Sequence, residues 1–126
     1  MIITQKPDII GHIDKVKMNN KGKFFSEEES WYKELAKKTL EITAKTNCII
    51  EVNTRGIYKK RSDSLYPGIF LLQEIYKMGI PITLSSDAHS TDELTAYFPE
   101  TISILKDIGF EKLKYFTSKG WIDQSI

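Results

Sequence analysis

The stretch Ile82-Thr83-Leu84-Ser85-Ser86-Asp87-Ala88-His89-Ser90 decides how the whole chain reads. Its apolar first half, following Gly79-Ile80-Pro81, predicts a short buried strand, and its polar second half predicts the loop where that strand surfaces. Residues two apart on an extended chain point the same way, so Asp87 and His89 can converge on one point. A carboxylate oxygen and an imidazole nitrogen make a borderline-hard ligand pair suited to zinc, iron or manganese. The competing reading is structural, with Asp87 capping the next helix and His89 merely exposed.

The other histidine strengthens the first reading. The chain has two, His12 and His89, and His12 stands in Asp8-Ile9-Ile10-Gly11-His12-Ile13-Asp14. Each follows a short apolar run and has an acidic residue two positions away. Two strand ends with matching chemistry predict one shared site.

Outward from these ends, helices and strands alternate. Residues 6 to 14 predict a first strand and its tip, and residues 15 to 25 an irregular loop whose four lysines read as solvated. Ser26 and Glu29 form a capping-box pair, and Trp31, Leu35, Thr39 and Ile42 share a face, which predicts a helix over about 27–45. Cys48-Ile49-Ile50-Glu51-Val52-Asn53-Thr54 predicts a second strand that turns polar at its end. There Glu51 and Asn53 share a face, either toward a site or hydrogen-bonded within the interior.

A loop with four cations, Arg55, Lys59, Lys60 and Arg61, comes next; it either neutralises a phosphate or is simply solvated. Pro67 predicts the first position of a helix carrying Ile69, Phe70, Leu72, Ile75 and Tyr76 and closed by Gly79. Ser90 to Glu93 predict a helical turn. Pro99 opens a helix with Ile102, Leu105 and Ile108 inward and Gly109 at its end, and Lys114 to Thr117 predict a last strand. Residues 118–126 carry no clear signal. This alternation predicts an α/β chain with a parallel sheet, in which sites collect at the carboxyl ends of the strands.

Composition narrows the function classes. At 126 residues the chain is one domain with room for a real core. Its 18 basic and 17 acidic residues leave a net charge of +1, so no electrostatic case exists for nucleic acid or an anionic membrane. The single cysteine, Cys48, excludes an internal disulfide framework and reads as a buried packing residue. No apolar run reaches the length of a membrane span, and the first residues lack a signal-peptide pattern, so the expected location is cytoplasmic.

The motifs Gly11-His12-Ile13-Asp14, then Glu51-Val52-Asn53-Thr54 with Tyr66-Pro67 downstream, then Ser86-Asp87-Ala88-His89 together resemble the later motifs of a known family. It is the PHP (polymerase and histidinol phosphatase) family, in its histidinol-phosphatase branch, and the resemblance spans about residues 8 to 110. The fold it implies is the carboxyl-terminal part of a distorted (β/α)7 barrel, with residues 1–126 as one partial domain. It also implies divalent metal ions (zinc, iron or manganese), two or three in the complete site. On the same ground His12, Asp87 and His89 are metal ligands, Asp87 and His89 are catalytic, and Asn53, Arg55, Lys59 and Arg61 face the substrate or its phosphate. Many relatives carry an arginine shortly after the glycine matching Gly56, where this chain has Tyr58 and Lys59. Which cation holds the phosphate is therefore left open.

The family's amino-terminal His-x-His motif is absent from this sequence. The three carried-over ligands are a minority of those a multinuclear site needs. The reaction implied is metal-assisted hydrolysis of a phosphorylated small molecule, in which a metal-activated water attacks phosphorus in line and a nearby arginine or lysine absorbs developing charge. Asp87 or His89 then ligates metal or passes a proton to the leaving alcohol. Three expectations follow. The first is the carboxyl-terminal part of a histidinol-phosphatase-like hydrolase, separated from its first half by truncation or gene splitting and inactive alone, with a second copy or a separate amino-terminal half supplying the missing ligands. The second is a non-catalytic half-barrel that self-associates to cover its sheet edge. The third is another metal-dependent barrel hydrolase, acting on an amide or amine.

Overall fold

The computed structural model describes residues 1–18, 20 and 22–126; the lysine-rich loop expected over 15–25 thus falls partly outside the described residues, at Asn19 and Lys21. Three short parallel strands, β1 (Ile9–Ile10), β2 (Ile49–Asn53) and β3 (Ile82–Ser85), form a sheet in the order β1-β2-β3. Ile10 pairs with Ile50, and Ile50, Glu51, Val52 and Asn53 pair with Ile82, Thr83, Leu84 and Ser85. Side chains alternate across a strand, so this register sorts the sheet into two faces. One carries Ile10, Ile50, Val52, Ile82 and Leu84, and the other carries Glu51, Asn53, Thr83 and Ser85.

The apolar face is where the helices pack. Helices α2 (Ser30–Thr43), α4 (Ile69–Lys77) and α5 (Phe98–Ile108) contribute Leu40, Leu71, Leu72, Ile75 and Leu105 to one core with Ile50, Val52 and Ile82. Each such fully buried aliphatic side chain contributes roughly 1.5–3 kcal/mol. The core these three helices share with the sheet is made with its apolar face. The protein is therefore α/β with a three-stranded parallel sheet. Two single-turn helices, α1 (Ile2–Gln5) and α3 (Arg55–Tyr58), and short 3-10 turns at Lys15–Lys17 and Thr91–Glu93 complete the connections.

Several elements differ from expectation. Helix α2 begins at Ser30 because Glu28 N–H donates to Ser26 Oγ at 3.1 Å, and Ser26 N–H to Glu29 Oε1 at 2.7 Å, which closes the capping turn before the helix starts. Its inward face is Tyr32, Leu40 and Thr43, whereas Trp31 and Leu35 are 50% and 61% exposed. Pro67 does not open α4. Tyr66 exchanges backbone hydrogen bonds with Asn53 at 2.7 and 3.1 Å, which holds it extended, and α4 starts only after Gly68. Gly79, at φ +66°, then ends the helix in a conformation that side chains rarely adopt.

The carboxyl-terminal segment is also ordered differently. The last predicted strand is not part of the parallel sheet: β4 (Lys112–Thr117) pairs antiparallel with β5 (Gly120–Ser125), formed by residues without a sequence signal. Phe116 and Trp121 face each other across that hairpin with ring centroids 5.0 Å apart, a favourable cross-strand pair. Among the described residues no helix is long and apolar enough to cross a membrane. Cys48 is buried, with its thiol donating to the Pro7 carbonyl at 2.9 Å, which fits a packing role.

Candidate functional site

The carboxyl ends of β1, β2 and β3 meet on the polar side of the sheet. At the first of them Gly11 leads into His12, whose backbone lies at φ +55°. A Cβ on Gly11 would stand 3.0 Å from Glu51 Oε2, so glycine leaves that carboxylate room to approach. Glu51 Oε2 accepts the His12 backbone N–H at 3.1 Å and lies 3.4 Å from His12 Nδ1. Glu51 thus binds the turn that aims the imidazole.

Asn53, the last residue of β2, is completely buried. Its Oδ1 accepts the Arg55 backbone N–H at 2.9 Å, and its Nδ2 approaches His12 Nδ1 at 3.5 Å. The residue expected to face substrate is instead an internal brace between the β2 end and His12.

At the end of β3, Ser85 Oγ accepts the Asp87 N–H at 3.2 Å, and Asp87 sits at φ +52°. His12 and Asp87 are two of five described non-glycine residues with left-handed backbone, the others being Lys6, Lys60 and Tyr97, and histidine and aspartate enter that region more readily than most residues. His12 and Asp87 face each other: Nε2 of one is 3.8 Å from Oδ2 of the other. Arg55 Nε lies 3.9 Å from the same Asp87 oxygen, and an Arg55 Nη1–H donates to the Asp87 carbonyl.

His89 is 65% exposed at its side chain, and its Nδ1–H donates to the Asp87 carbonyl at 2.8 Å. That bond leaves the Nε2 lone pair outward, the arrangement by which protein histidines bind metals.

Glu93 was not a sequence candidate, yet it organises one wall. Its Oε2 accepts the His89 backbone N–H at 3.0 Å, Tyr58 Oη–H at 3.2 Å and Arg55 Nη1–H at 3.2 Å, while Oε1 pairs with Lys59. The Lys59 ammonium, then the His89 amide, hold the Glu93 carboxyl down at about 2. Tyr58 Oη–H is shared with the Ser86 carbonyl at 2.8 Å, and burial before all else pushes that phenol up. An acidic residue in a Thr-Asp-Glu turn looks like ordinary helix-start chemistry, so the sequence offered little signal beyond its four-residue distance from His89.

The cations expected at the phosphate separate. Arg55 is buried within the Asp87–Glu93 cluster, Lys59 reaches the same cluster with a side chain 35% exposed, and Arg61 lines another cavity of about 480 Å³ with Lys17, Lys60 and Ser64. His12, Asp87 and His89 are not among the walls of that cavity. Lys17, expected in solvent, is buried between Asp14 Oδ2 at 2.7 Å and Glu27 Oε2 at 3.1 Å.

Among the described residues no three histidine, cysteine, aspartate or glutamate side chains gather around one point. The donor pair itself has suitable chemistry. Two atoms 3.8 Å apart can both reach an ion at about 2.0–2.2 Å, and His89 offers a third donor close by in the chain. Nitrogen and carboxylate donors of this kind fit zinc, iron or manganese, as one edge of a larger donor set. No protein-family model and no curated protein matches the chain.

Proposed function

We propose that this chain is the carboxyl-terminal portion of a metal-dependent phosphate monoester hydrolase of the histidinol-phosphatase type, built on part of a distorted (β/α)7 barrel and inactive alone. The single observation that carries the reading is the approach of His12 and Asp87. Two residues in left-handed backbone conformation, from different strand ends, are held 3.8 Å apart on the polar side of a parallel sheet. Parallel strands in sequential order, with three helices packed on the apolar face, support the barrel part of this reading.

In this reading His12, Asp87 and His89 hold divalent metal, which when bound supplies an activated water and positive charge beside a phosphate. The chain's own residues prepare that chemistry. Glu51 and Asn53 set the His12 ring. Arg55, fixed by Glu93, holds the Asp87 carbonyl and stands beside its carboxylate. Glu93 fixes the His89 backbone, while the bond to the Asp87 carbonyl keeps the proton on Nδ1. Lys59 is the cation on this cluster that also meets solvent, so it is the one placed to take a phosphate oxygen.

The test is metal content per chain on size-fractionated protein, with hydrolysis of histidinol phosphate assayed on the same fractions. The reading expects little metal and no turnover from the single chain. It expects any hydrolysing assembly to hold two or more metals per site and to lose them with His12→Ala or Asp87→Asn. Turnover that survives both a chelator and His12→Ala would overturn it. A second reading, a non-catalytic half-barrel that self-associates, is favoured by the exposed apolar side chains of Val16, Trp31 and Leu35 and by a sheet whose outer strand is β1. It expects concentration-dependent dimers whose metal content is unchanged by Asp87→Asn.

A further inference from the structure

The cavity of about 480 Å³ that Arg61 lines opens between the loop at residues 20–27 and the loop at residues 60–64, and both walls are pinned from within. On one side the buried Asn20 accepts the Phe24 and Phe25 N–H groups at 2.9 and 3.3 Å and donates to the Phe25 carbonyl. Lys17, bridging Asp14 and Glu27, ties the same wall to the interior. On the other side the Gly56 carbonyl accepts the Arg61 and Ser62 N–H groups at 2.8 and 3.1 Å, which closes the turn carrying Lys60 and Arg61 onto helix α3. A cavity with fixed walls loses little freedom when it is filled.

The groups it offers a ligand are of both signs, and solvent reaches them. Lys60 and Arg61 are exposed and, among the described residues, enter no ion pair, whereas Lys17, Arg55 and Lys59 are all held by carboxylates. The carboxylates of the lining are the exposed Asp63 and the partly exposed Glu27, and Ser26, Ser62 and Ser64 add hydroxyls. Two unpaired cations, one of them the planar fork of arginine, suit a phosphate. A bare phosphate would also meet the two carboxylates, which repel it. A molecule that joins a phosphate to several hydroxyl groups answers both signs, because each hydroxyl can donate to a carboxylate and trade bonds with a serine. An ammonium in place of those hydroxyls is a donor only and would use the acceptors alone.

We infer that this cavity binds a small phosphorylated polyol or sugar, its phosphate on Lys60 and Arg61 and its hydroxyls on Asp63 and the serines. The volume lies within the range of roughly 300–1,000 Å³ usual for small-molecule sites. His12, Asp87, His89 and Lys59 are not among its walls, so it is an anion site separate from the strand-end cluster and independent of any metal there.

The test titrates the full chain with glycerol 3-phosphate, glycerol, inorganic phosphate and O-phosphoethanolamine, followed by calorimetry and by the Arg61 and Ser62 amide resonances. A chelator is present throughout, so that no metal at the strand ends can hold the phosphate. Saturable glycerol 3-phosphate binding that moves both resonances, several-fold tighter than inorganic phosphate and with glycerol weaker still, is the expected result. Arg61→Ala removes an exposed side chain, so its melt should coincide with wild type while glycerol 3-phosphate affinity drops by roughly tenfold, since hydrogen bonds to a charged group are the stronger kind. Asp63→Ala, also at an exposed position, should narrow the margin over inorganic phosphate, and His12→Ala should leave binding as it was. Inorganic phosphate as tight as glycerol 3-phosphate would mean an adventitious ion only and would overturn the polyol assignment. Affinity untouched in Arg61→Ala, a margin unchanged in Asp63→Ala, binding lost in His12→Ala, or no saturation would overturn the site itself. Tighter binding of O-phosphoethanolamine than of glycerol 3-phosphate would replace the hydroxyls by an amine and refute the class of ligand.

Discussion

Replacing Asn53 by alanine separates a brace from a substrate contact. The side chain is completely buried, and its Oδ1 is the acceptor for the Arg55 backbone N–H at 2.9 Å. Alanine leaves that amide buried without an acceptor, which costs about 1–3 kcal/mol, and opens a small void worth under about 1 kcal/mol. The expected loss is about 2.5 kcal/mol. With an unfolding entropy of roughly 2.1 cal/mol/K per residue, 126 residues lose about 9 °C in Tm for that change. Urea titration of wild type and Asn53→Ala, with thermal melts alongside, measures both quantities, and an unchanged m-value assigns the difference to stability. Arg61→Ala, at an exposed position, serves as the control and should stay within about 0.5 kcal/mol. An Asn53→Ala loss no larger than that of the control would refute the reasoning, because it would mean that the side chain faces solvent in the folded protein.

Three further outcomes are expected. Glu93 titrates at about 2 in place of an ordinary 4.5, so its contribution is complete above pH 4.5 and is lost as pH falls toward 2; Glu93→Gln should flatten the acid limb of the stability curve in that window, and a parallel slope would exclude the ion cluster as its cause. Leu72→Ala, at a fully buried core position, should cost about 2–5 kcal/mol in urea unfolding, and less than 1 kcal/mol would contradict the core assignment. Gly109→Ala should lower stability by about 2 kcal/mol, because φ +120° disfavours a side chain and the new Cβ would stand 2.7 Å from the Tyr76 ring; a melt coincident with wild type would reject that backbone geometry.

What the sequence made legible follows from local rules. Strand periodicity brought Asp87 and His89 to one loop, and the matching run before His12 pointed to a second strand end; the structure places His12 beside Asp87. The inward face of α2 was not legible, because Trp31, Leu35 and Ile42 form as apolar a stripe as Tyr32, Ala36 and Leu40 do. Only packing against the sheet chooses between them. The β4–β5 hairpin hid behind a polar tail, although Gly120 between Tyr115-Phe116-Thr117 and Trp121-Ile122 is a turn signal of the ordinary kind. Lys17 was misplaced because lysines in a loop read as solvated, whereas it answers the buried Asp14 carboxylate. For Asn53 the strand period left a site and an interior hydrogen bond equally open, and the structure has its side chain buried on the Arg55 amide. Glu93 collects its four partners from two separate segments, the turn from Arg55 to Lys59 and the loop at His89, and no sequence spacing reports such convergence.

The parallel sheet ends at β1, and that placement constrains assembly by symmetry. Two copies joined edge to edge at β1 about a twofold axis would pair their strands antiparallel. Their carboxyl ends would then point in opposite directions, carrying the two His12 and Asp87 clusters away from one another. A twofold homodimer through this edge therefore buries backbone without pooling ligands. Only a head-to-tail arrangement, or a different chain laying a parallel strand against β1, brings new donor groups to the end of the sheet where His12 stands.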